Sequence, residues 1–392
     1  MDEVKYKSLV ENLNNIIFTT DLNYCFDYIS PSFKSYFDED PTEYIGKSVI
    51  SIVNEEFTDE VSIYFENYKS DIENNKIEFK TKFSKCPWIE IQFQKVLDGS
   101  KFVGFQGIVS NITERKFVEH EIYEANRKIL YQQESITDSL HYAEKIQQAV
   151  LPREAYIKKC FTKHFVLYKP KDIVSGDFYW ITRKAATIMV AIADCTGHGV
   201  PGAFMSMLGI SFLNDILRKS MKYFFTGNLT ASDMLEQLRK SIKKALKQSS
   251  AESLTKDGMD MSFIIVDLDT KHLQFAGAFN PLIHIRNKEI TKIKGDRNPI
   301  GIHLNEVPFT NHEMQLETGD TLYMFTDGYI DQFGGPNNKK FLSKRLEELL
   351  HEIHEKPLLE QKEILDNTLI NWMGDNEQVD DICLFGCRIE EE

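Results

Sequence analysis

Cysteine is scarce in this sequence: six residues in 392, at positions 25, 86, 160, 195, 383 and 387. They are too few and too scattered for a disulfide scaffold. Cys383 and Cys387 stand four apart with no second pair and no nearby histidine, a spacing that does not suit zinc. Positive charge is short as well. Lys and Arg number 46 against 60 Asp and Glu, a net of −14. The deficit is even, because residues 1–118 already hold 13 basic and 20 acidic side chains. No part of the chain is basic, which argues against nucleic-acid binding and against an anionic-membrane patch. Long apolar runs are missing too: Gly199 to Asn214, the longest uncharged run, is broken by Gly, Pro and Ser. It falls short of a span of about 20 residues. The start, MDEVKYKSLV, has neither the basic nor the apolar region of a signal peptide. A cytoplasmic protein of a reducing compartment is expected.

What is present is ordinary for globular domains, at 42% hydrophobic and 27% charged residues. The length predicts two or three domains. An acidic protein can handle a phosphorylated substrate, but a cationic group must then sit in its site.

Residues 1–117 read as a mixed α/β module. Leu9, Leu13 and Ile16 have a helical period, and two short alternating stretches follow, broken by a turn at Asp21-Leu22-Asn23. Pro31, Asp38–Pro41 and Gly46 punctuate short helices. IEFKTKF, WIEIQFQKV and FVGFQGIVSNIT then alternate as a three-stranded meander, with Asp98-Gly99 as a turn. This order, closed by GFQGIVSNITERK, resembles a PAS domain, in which the last strand runs into a signalling helix. No histidine precedes His120, so a His-ligated haem is not expected, and no cofactor of this module is identifiable.

Between Thr113 and Val150 there is neither Pro nor Gly, and Ile122, Ile129, Ile136, Ala143 and Val150 recur every seven residues. The second row is half polar, which suits a weak or switchable coiled coil, or else a single amphipathic helix. Such a helix would be about 55 Å long at about 1.5 Å per residue. Residues 118–150 are therefore expected to link two domains and to pair two copies of the chain as a homodimer.

Residues 151–392 read as a second domain. Strands are expected at 164–169, 178–182, 187–194, 261–267, 272–277, 282–286, 321–326 and 381–389. Helices are expected around 201–220, 231–249, 341–353 and 358–373. This suggests a sheet-rich sandwich with helices outside. Four acidic sites share a pattern. Asp177 sits in VSGDFYW; Asp194 ends TIMVAIAD before CTGHGVPGAFM; Asp327 ends TLYMFT before a Gly; Asp380 and Asp381 open DICLFG. Strands that start or end on Asp beside a turn gather carboxylates at one sheet edge. Unpaired, these would cost several kcal/mol each to bury. Hard divalent cations with oxygen ligands, Mg²⁺ or Mn²⁺, remove that cost.

GDFYW, ADCTGHGVPGAFM, GMDMSF, GDTLYMFTDGYIDQFG and VDDICLFG, in that order, resemble the motifs of PPM-type (protein phosphatase 2C-like) serine/threonine phosphatases of the SpoIIE-like branch. YAEKIQQAVLP is similar to the segment that leads into that domain. The resemblance implies an α+β, multidomain chain: a PAS-like sensor at 1–117, a helix linker at 118–150 and an α-β-β-α sandwich phosphatase at 151–392. It implies two Mn²⁺ or Mg²⁺ ions, with Asp194 bridging them and the Cys195 carbonyl as a further ligand. Asp327 and Asp380 would be ligands, and Asp177 would bind through waters; Asp381 is the weaker candidate of its pair. Asp194 and Asp327 would be the catalytic pair, acting through a metal-activated water without a phospho-enzyme. His198 lies four residues after Asp194, where eukaryotic relatives have their histidine after two. A general-acid role like that of those relatives is therefore the less favoured reading, beside packing the helix start or supporting the ligands. Gly199 and Gly202 allow a tight loop onto a helix N-terminus, and Asn280, in Gly-Ala-Phe-Asn-Pro, is expected to line the site.

The implied function is a sensor-regulated protein phosphatase acting on a phosphorylated regulatory protein of the STAS type. The alternatives are a catalytically silent scaffold that binds a phosphoprotein, and an enzyme for a small phosphomonoester. The PAS–helix–His141 order is also that of a histidine kinase, but no Gly-rich ATP lid follows.

Overall fold

A computed structural model describes residues 14–68, 75–225, 229–248 and 256–390. The chain divides into two compact units, Met1–Gln133 and Glu134–Glu392, within one long helix. The first unit opens with β1 (Ile16–Thr20), β2 (Phe26–Ile29), α1 (Ser32–Phe37) and α2 (Thr58–Tyr68). It closes with a meander of β3 (Lys76–Lys80), β4 (Trp88–Asp98) and β5 (Lys101–Asn111). The antiparallel sheet runs β2-β1-β5-β4-β3, so the first and last strands lie side by side. Asp21 builds the first turn by accepting the N–H groups of Asn23 and Cys25, each at 2.8 Å. Gly99, with φ +64°, takes the left-handed position in the Asp98-Gly99 turn. The helical period expected over Leu9, Leu13 and Ile16 is corrected at its last member. Ile16, Phe18 and Thr20 are buried on alternate positions of β1, and Leu9 and Leu13 lie outside the described residues.

The linker forms a single helix, α3 (Thr113–Val150). Its seven-residue row faces solvent: Ile122, Ile129 and Ile136 are 55%, 58% and 61% exposed. Only Gln147 is fully buried along it.

The second unit begins with α4 (Glu154–Cys160), β6 (His164–Lys169), β7 (Phe178–Lys184) and β8 (Thr187–Cys195). Next come α5 (Gly199–Phe225), α6 (Ala231–Ala245), β9 (Met259–Asp267), β10 (His272–Ala278), β11 (Leu282–Arg286), β12 (Glu289–Ile293) and β13 (His312–Gln315). The unit ends with β14 (Thr321–Phe325), α7 (Gly328–Asp331), β15 (Phe333–Gly334), β16 (Lys339–Lys340), α8 (Ser343–Ile353), α9 (Leu358–Met373) and β17 (Ile382–Arg388). Two five-stranded sheets, β13-β10-β9-β8-β7 and β12-β11-β14-β17-β6, face each other, with helices on both outer surfaces.

Alternation along each strand builds the layers. In β8, Ile188, Val190 and Ile192 fill the space between the sheets with Ile264, Leu322, Met324 and Phe385. Met189, Ala191 and Ala193 turn the other way, onto Leu213, Ile216, Met234 and Leu238 of α5 and α6. On the far side, Tyr323, Phe325 and Leu384 pack against Leu346, Leu350, Leu365 and Leu369 of α8 and α9. Strands β12 and β13 were not expected: they are edge strands whose short charged sequences, EITKI and HEMQ, bury no residue fully. The apolar run after Asp194 is also longer than expected. Gly199–Ser220 reaches the length and hydropathy of a membrane span. Met205, Ile210, Leu213, Ile216 and Leu217 bury one face of it in the domain core, which makes it a core helix here.

Candidate active site

The same alternation sets where the acidic side chains point. Asp194 continues the parity of Ile188, Val190 and Ile192, so it faces the second sheet. The β8–β9 register pairs Asp194 with Asp260. The β7–β8 register pairs Phe178 with Ala193, which brings Asp177, one residue earlier, into line with Asp194. Three carboxylates thus stand abreast across β7, β8 and β9. The opposite sheet contributes Thr326 and Asp327 just past β14, and Asp380 and Asp381 just before β17. Thr326 ties the two sheets together. Its hydroxyl donates to Asp177 Oδ2 at 2.6 Å and accepts from the Cys383 N–H at 2.9 Å.

These carboxyls are far from their ordinary state. Burial first, then neighbouring carboxylates, pushes Asp194 up to about 10 and Asp260 up to about 7. The same causes raise Asp177 well above the carboxylate range, although the Thr326 hydroxyl opposes the rise. Asp327 is raised by burial and by Asp331 and Asp380, and it shares a hydrogen bond with Asp194. Asp381 has a different task. Its two oxygens accept the N–H groups of Lys171 at 2.8 Å and Gly176 at 2.7 Å, which staples the loop 171–176 to the start of β17.

The loop after β8 is anchored by Thr196. Its N–H and hydroxyl donate to the Gly258 carbonyl at 3.0 and 2.9 Å, and the hydroxyl accepts from the Gly258 N–H at 2.8 Å. Gly197 and Gly199 then take φ values of +84° and +63° around His198, a backbone that side chains with a Cβ rarely adopt. His198 Nδ1 lies 2.6 Å from Asp172 Oδ2. A cleft of about 250 Å³ opens here, lined by Asp194, Asp260, Asp380, His198, Lys256 and the Thr196–Gly197 turn, among others.

The structure therefore brings Asp177, Asp194, Asp327 and Asp380 to one end of the sandwich, with the Cys195 backbone beside them. It does not bring Asn280 to the cleft wall. That residue is buried in the β10–β11 turn, where its backbone bonds to Ala278. Asp260, Lys256 and Asp172 were not singled out from the sequence. Asp260 sits in GMDMSF, a motif quoted without a role, and only the β8–β9 register reveals its neighbour. Lys256 places an ammonium group among the residues that line the cleft.

Buried oxygen donors that form no ion pair among the described residues fit a hard divalent ion. Among the described residues, no three His, Cys, Asp or Glu side chains already form a set that could hold one. Asp177 is engaged by Thr326, and Asp194 is engaged by Asp327.

Residues 184–390, just over half of the chain, match the family described as Stage II sporulation protein E (SpoIIE). The SiaA-PP2C domain of Pseudomonas aeruginosa is 33% identical and superposes with a TM-score of 0.60, over 66% of this chain and 99% of that domain. This chain belongs to the SpoIIE family. Its second unit is a PP2C-type phosphatase domain. Among curated proteins, the phosphoserine phosphatase RsbU of Bacillus subtilis is 21% identical over 212 residues, 53% of this chain. The match spans 58% of that relative's length.

In this SpoIIE-family domain the end of α3 reaches the same region. Gln147 donates to the Ser175 carbonyl at 2.7 Å and to Ser206 Oγ at 2.9 Å, and accepts the Ser175 N–H at 3.1 Å. Ser175 is two residues from Asp177, and Ser206 lies on α5. One buried amide thus joins the linker helix to the loop and the helix that frame the carboxylates.

Proposed function

We propose that this chain is a sensor-regulated, divalent-cation-dependent phosphatase for phosphoserine or phosphothreonine on a protein. The observation that carries the reading is the alignment of Asp177, Asp194 and Asp260 across three strands, opposite Asp327 and Asp380, at a cleft that also holds Lys256. Asp194, Asp327 and Asp380, with the Cys195 carbonyl, would hold two Mn²⁺ or Mg²⁺ ions, and Asp177 would bind through water. Bound there, such ions stabilise charge on the phosphoryl oxygens and acidify a water. The chain's own groups do the rest. Thr326 orients Asp177, Asp381 fixes the loop beneath it, and Lys256 offers a cation to the phosphate. Burial and the surrounding carboxylates hold the Cys195 thiol far above its usual range, so it stays protonated and is not the nucleophile.

The substrate reading, a phosphorylated STAS-type regulatory protein, rests on the family resemblance; RsbU's description as a phosphoserine phosphatase agrees with its chemistry. The division into a PAS-like sensor (1–117), a pairing helix (118–150) and a cytoplasmic phosphatase (151–392) is part of the same proposal. Three features support it: the sheet order of the first unit, the solvent-facing Ile122–Ile129–Ile136 row, and the Gln147 contacts. The test is phosphate release from a phosphoserine protein and from a small phosphomonoester, with Mn²⁺ and with EDTA. Mn²⁺-dependent turnover that favours the phosphoprotein is expected. Turnover that persists in EDTA and in Asp194→Asn would contradict the reading, and Mn²⁺ binding without turnover would favour a scaffold.

A further inference from the structure

The β14–β17 register ends at the Phe325–Leu384 pair, and Asp327 and Asp380 both lie beyond it. Asp327 opens the short helix α7, and Asp380 closes the irregular stretch between α9 and β17. Something other than the strand ladder must hold these two carboxylates at a fixed separation. Gln332 does so. It caps the end of α7, and its side chain is fully buried. Nε2 donates to the Glu377 carbonyl at 3.0 Å and to the Phe333 carbonyl at 3.1 Å, while Oε1 accepts the Val379 N–H at 3.1 Å. Two carbonyls at one end and an N–H at the other fix which way the amide faces. Glu377 and Val379 lead directly into Asp380.

Both sides of this join are themselves held. The Gln332 carbonyl accepts from the Trp372 indole N–H at 3.1 Å and from the Phe341 N–H at 2.9 Å. Across the join, Gln378 Nε2 donates to the carbonyls of Asp380 and Lys169, each at 2.8 Å, and the Asp381 N–H donates to Asp380 Oδ1 at 2.9 Å. The two segments also touch beside the carboxylates, where a Cβ on Gly328 would run into the Asp381 carbonyl. Asp380 is thereby presented at the cleft wall with Asp194. A buried amide adds little stability by itself, because its desolvation offsets most of what its hydrogen bonds return. What it supplies is direction: three oriented bonds fix the loop where apolar packing would let it slide.

We propose that Gln332 is a positioning residue for the divalent-cation site: by binding the loop of Asp380 to the helix that follows Asp327, it holds these two carboxylates at the separation at which both can act as ligands. The inference rests on the phosphatase reading above. Gln332 touches neither a phosphate nor a cation and acts through Asp327 and Asp380. Loosening the join lets the two ligands drift apart, which lowers cation affinity first and turnover only through it.

A second buried glutamine separates this role from a structural one. Gln361 is buried as deeply and bonds in the same way. Its Nε2 donates to the His354 and Lys356 carbonyls at 3.0 and 2.9 Å, and its Oε1 accepts the Tyr323 hydroxyl at 2.8 Å. It bonds to neither segment of the proposed cation site. The full-length parent, Gln332→Met and Gln361→Met are compared by Mn²⁺ calorimetry, by melting in EDTA, and by the Mn²⁺ dependence of phosphate release from a phosphoserine peptide. Both substitutions are expected to lower the melting temperature. Gln332→Met alone is expected to weaken Mn²⁺ binding about tenfold, the scale for losing a group that orients a metal ligand. Its half-maximal Mn²⁺ concentration should rise by the same factor, with kcat at saturating Mn²⁺ within about threefold of the parent and KM for the peptide unchanged. Should Gln332→Met not fold, Gln332→Asn, which keeps the amide one carbon short, is expected to weaken Mn²⁺ binding about threefold. Parent-like Mn²⁺ affinity in the folded Gln332 variant, or an equal loss in Gln361→Met, overturns the positioning role alone. A parent protein that neither binds Mn²⁺ nor releases phosphate overturns the phosphatase reading, and this role with it.

Discussion

The two units of this chain bury opposite kinds of chemistry. Behind the sheet of the first unit the interior is filled with rings. Phe33 meets Phe37 edge-on at 4.8 Å, Phe37 lies 4.5 Å from Phe83, and Tyr24 stacks on Phe105 at 4.5 Å. The Tyr24 hydroxyl, deep among them, donates to the Phe65 carbonyl. The second unit is equally apolar between its sheets until one end of β7, β8 and β9, where Asp177, Asp194 and Asp260 stand together without an ion-pair partner among the described residues. A fold gains nothing from such a row, because like charges on adjacent strands repel and burial penalises each. The first interior is built for stability, and the second gives some stability up at one end to create a site.

Substitutions in the two interiors should therefore behave in opposite ways. Asp194→Asn is expected to lower Mn²⁺-dependent phosphate release at least about 1,000-fold, the scale of losing a principal electrostatic group. It should leave the melting temperature of metal-free protein unchanged or higher. Phe79→Ala, at a fully buried ring of the first unit, should do the reverse. A cavity of that kind costs about 3–5 kcal/mol, seen as a lower denaturation midpoint. A marked loss of stability in Asp194→Asn would place that carboxylate among the structural groups and break the comparison.

Titration should sharpen it. Burial and neighbouring carboxylates push Asp260 up to about 7 and Asp194 up to about 10, whereas both would titrate near 3.9 in the unfolded chain. Between those values the folded, metal-free protein binds more protons than the unfolded one. The contribution of these groups to stability is thus complete below about pH 4 and is lost as pH rises through 7 and toward 10. Melting temperatures of EDTA-treated protein should fall between about pH 5.5 and 8.5. Mn²⁺ favours the ionised carboxylates, so saturating Mn²⁺ should flatten the slope. An EDTA-treated protein that gains stability over that range would contradict the assignment.

How much of this could be read beforehand depends on where each residue sits. Asp177, Asp194, Asp327 and Asp380 announce themselves because a charged residue closes or opens an apolar strand next to a turn, and the packing of sheets and helices follows from the same periodicities. Asp260 was hidden because nothing in Met-Asp-Met says which residue of another strand lies opposite; register supplies that, and register is a tertiary property. Asp172 gave no signal at all, since its place beside His198 depends on a loop stapled by Asp381, more than two hundred residues later. Strands β12 and β13 escaped because edge strands need no continuous apolar pattern. Gln147 looked like one more polar residue on a polar helix, yet it is buried among Ser175 and Ser206.

That glutamine yields the next prediction. Gln147→Ala leaves the buried Ser175 N–H without its partner, and the Ser175 carbonyl with only a 3.4 Å hydrogen bond from Ser206, so the second unit should lose about 1–3 kcal/mol in denaturant titration. The same truncation at Gln148, an exposed neighbour whose side-chain amide bonds to Glu144, should cost less than about 0.5 kcal/mol.

The smallest expected effect is the most selective. Thr326→Val keeps the shape of a buried side chain while removing the hydroxyl that joins Asp177 to the backbone of β17. Two hydrogen bonds are lost at once, the one donated to Asp177 and the one accepted from Cys383, and their net worth is about 1–2 kcal/mol. Asp177 would then be freer to rotate and harder to ionise, because the hydroxyl is what opposes its raised titration. Mn²⁺ affinity, measured by calorimetry, should weaken about tenfold, as it does when a group that orients a metal ligand is removed. If stability falls while Mn²⁺ affinity is unchanged, Asp177 belongs to the sheet-to-sheet join and not to the cation site. The boundary between stable interior and functional end then runs between Asp177 and Asp194, which stand side by side across β7 and β8.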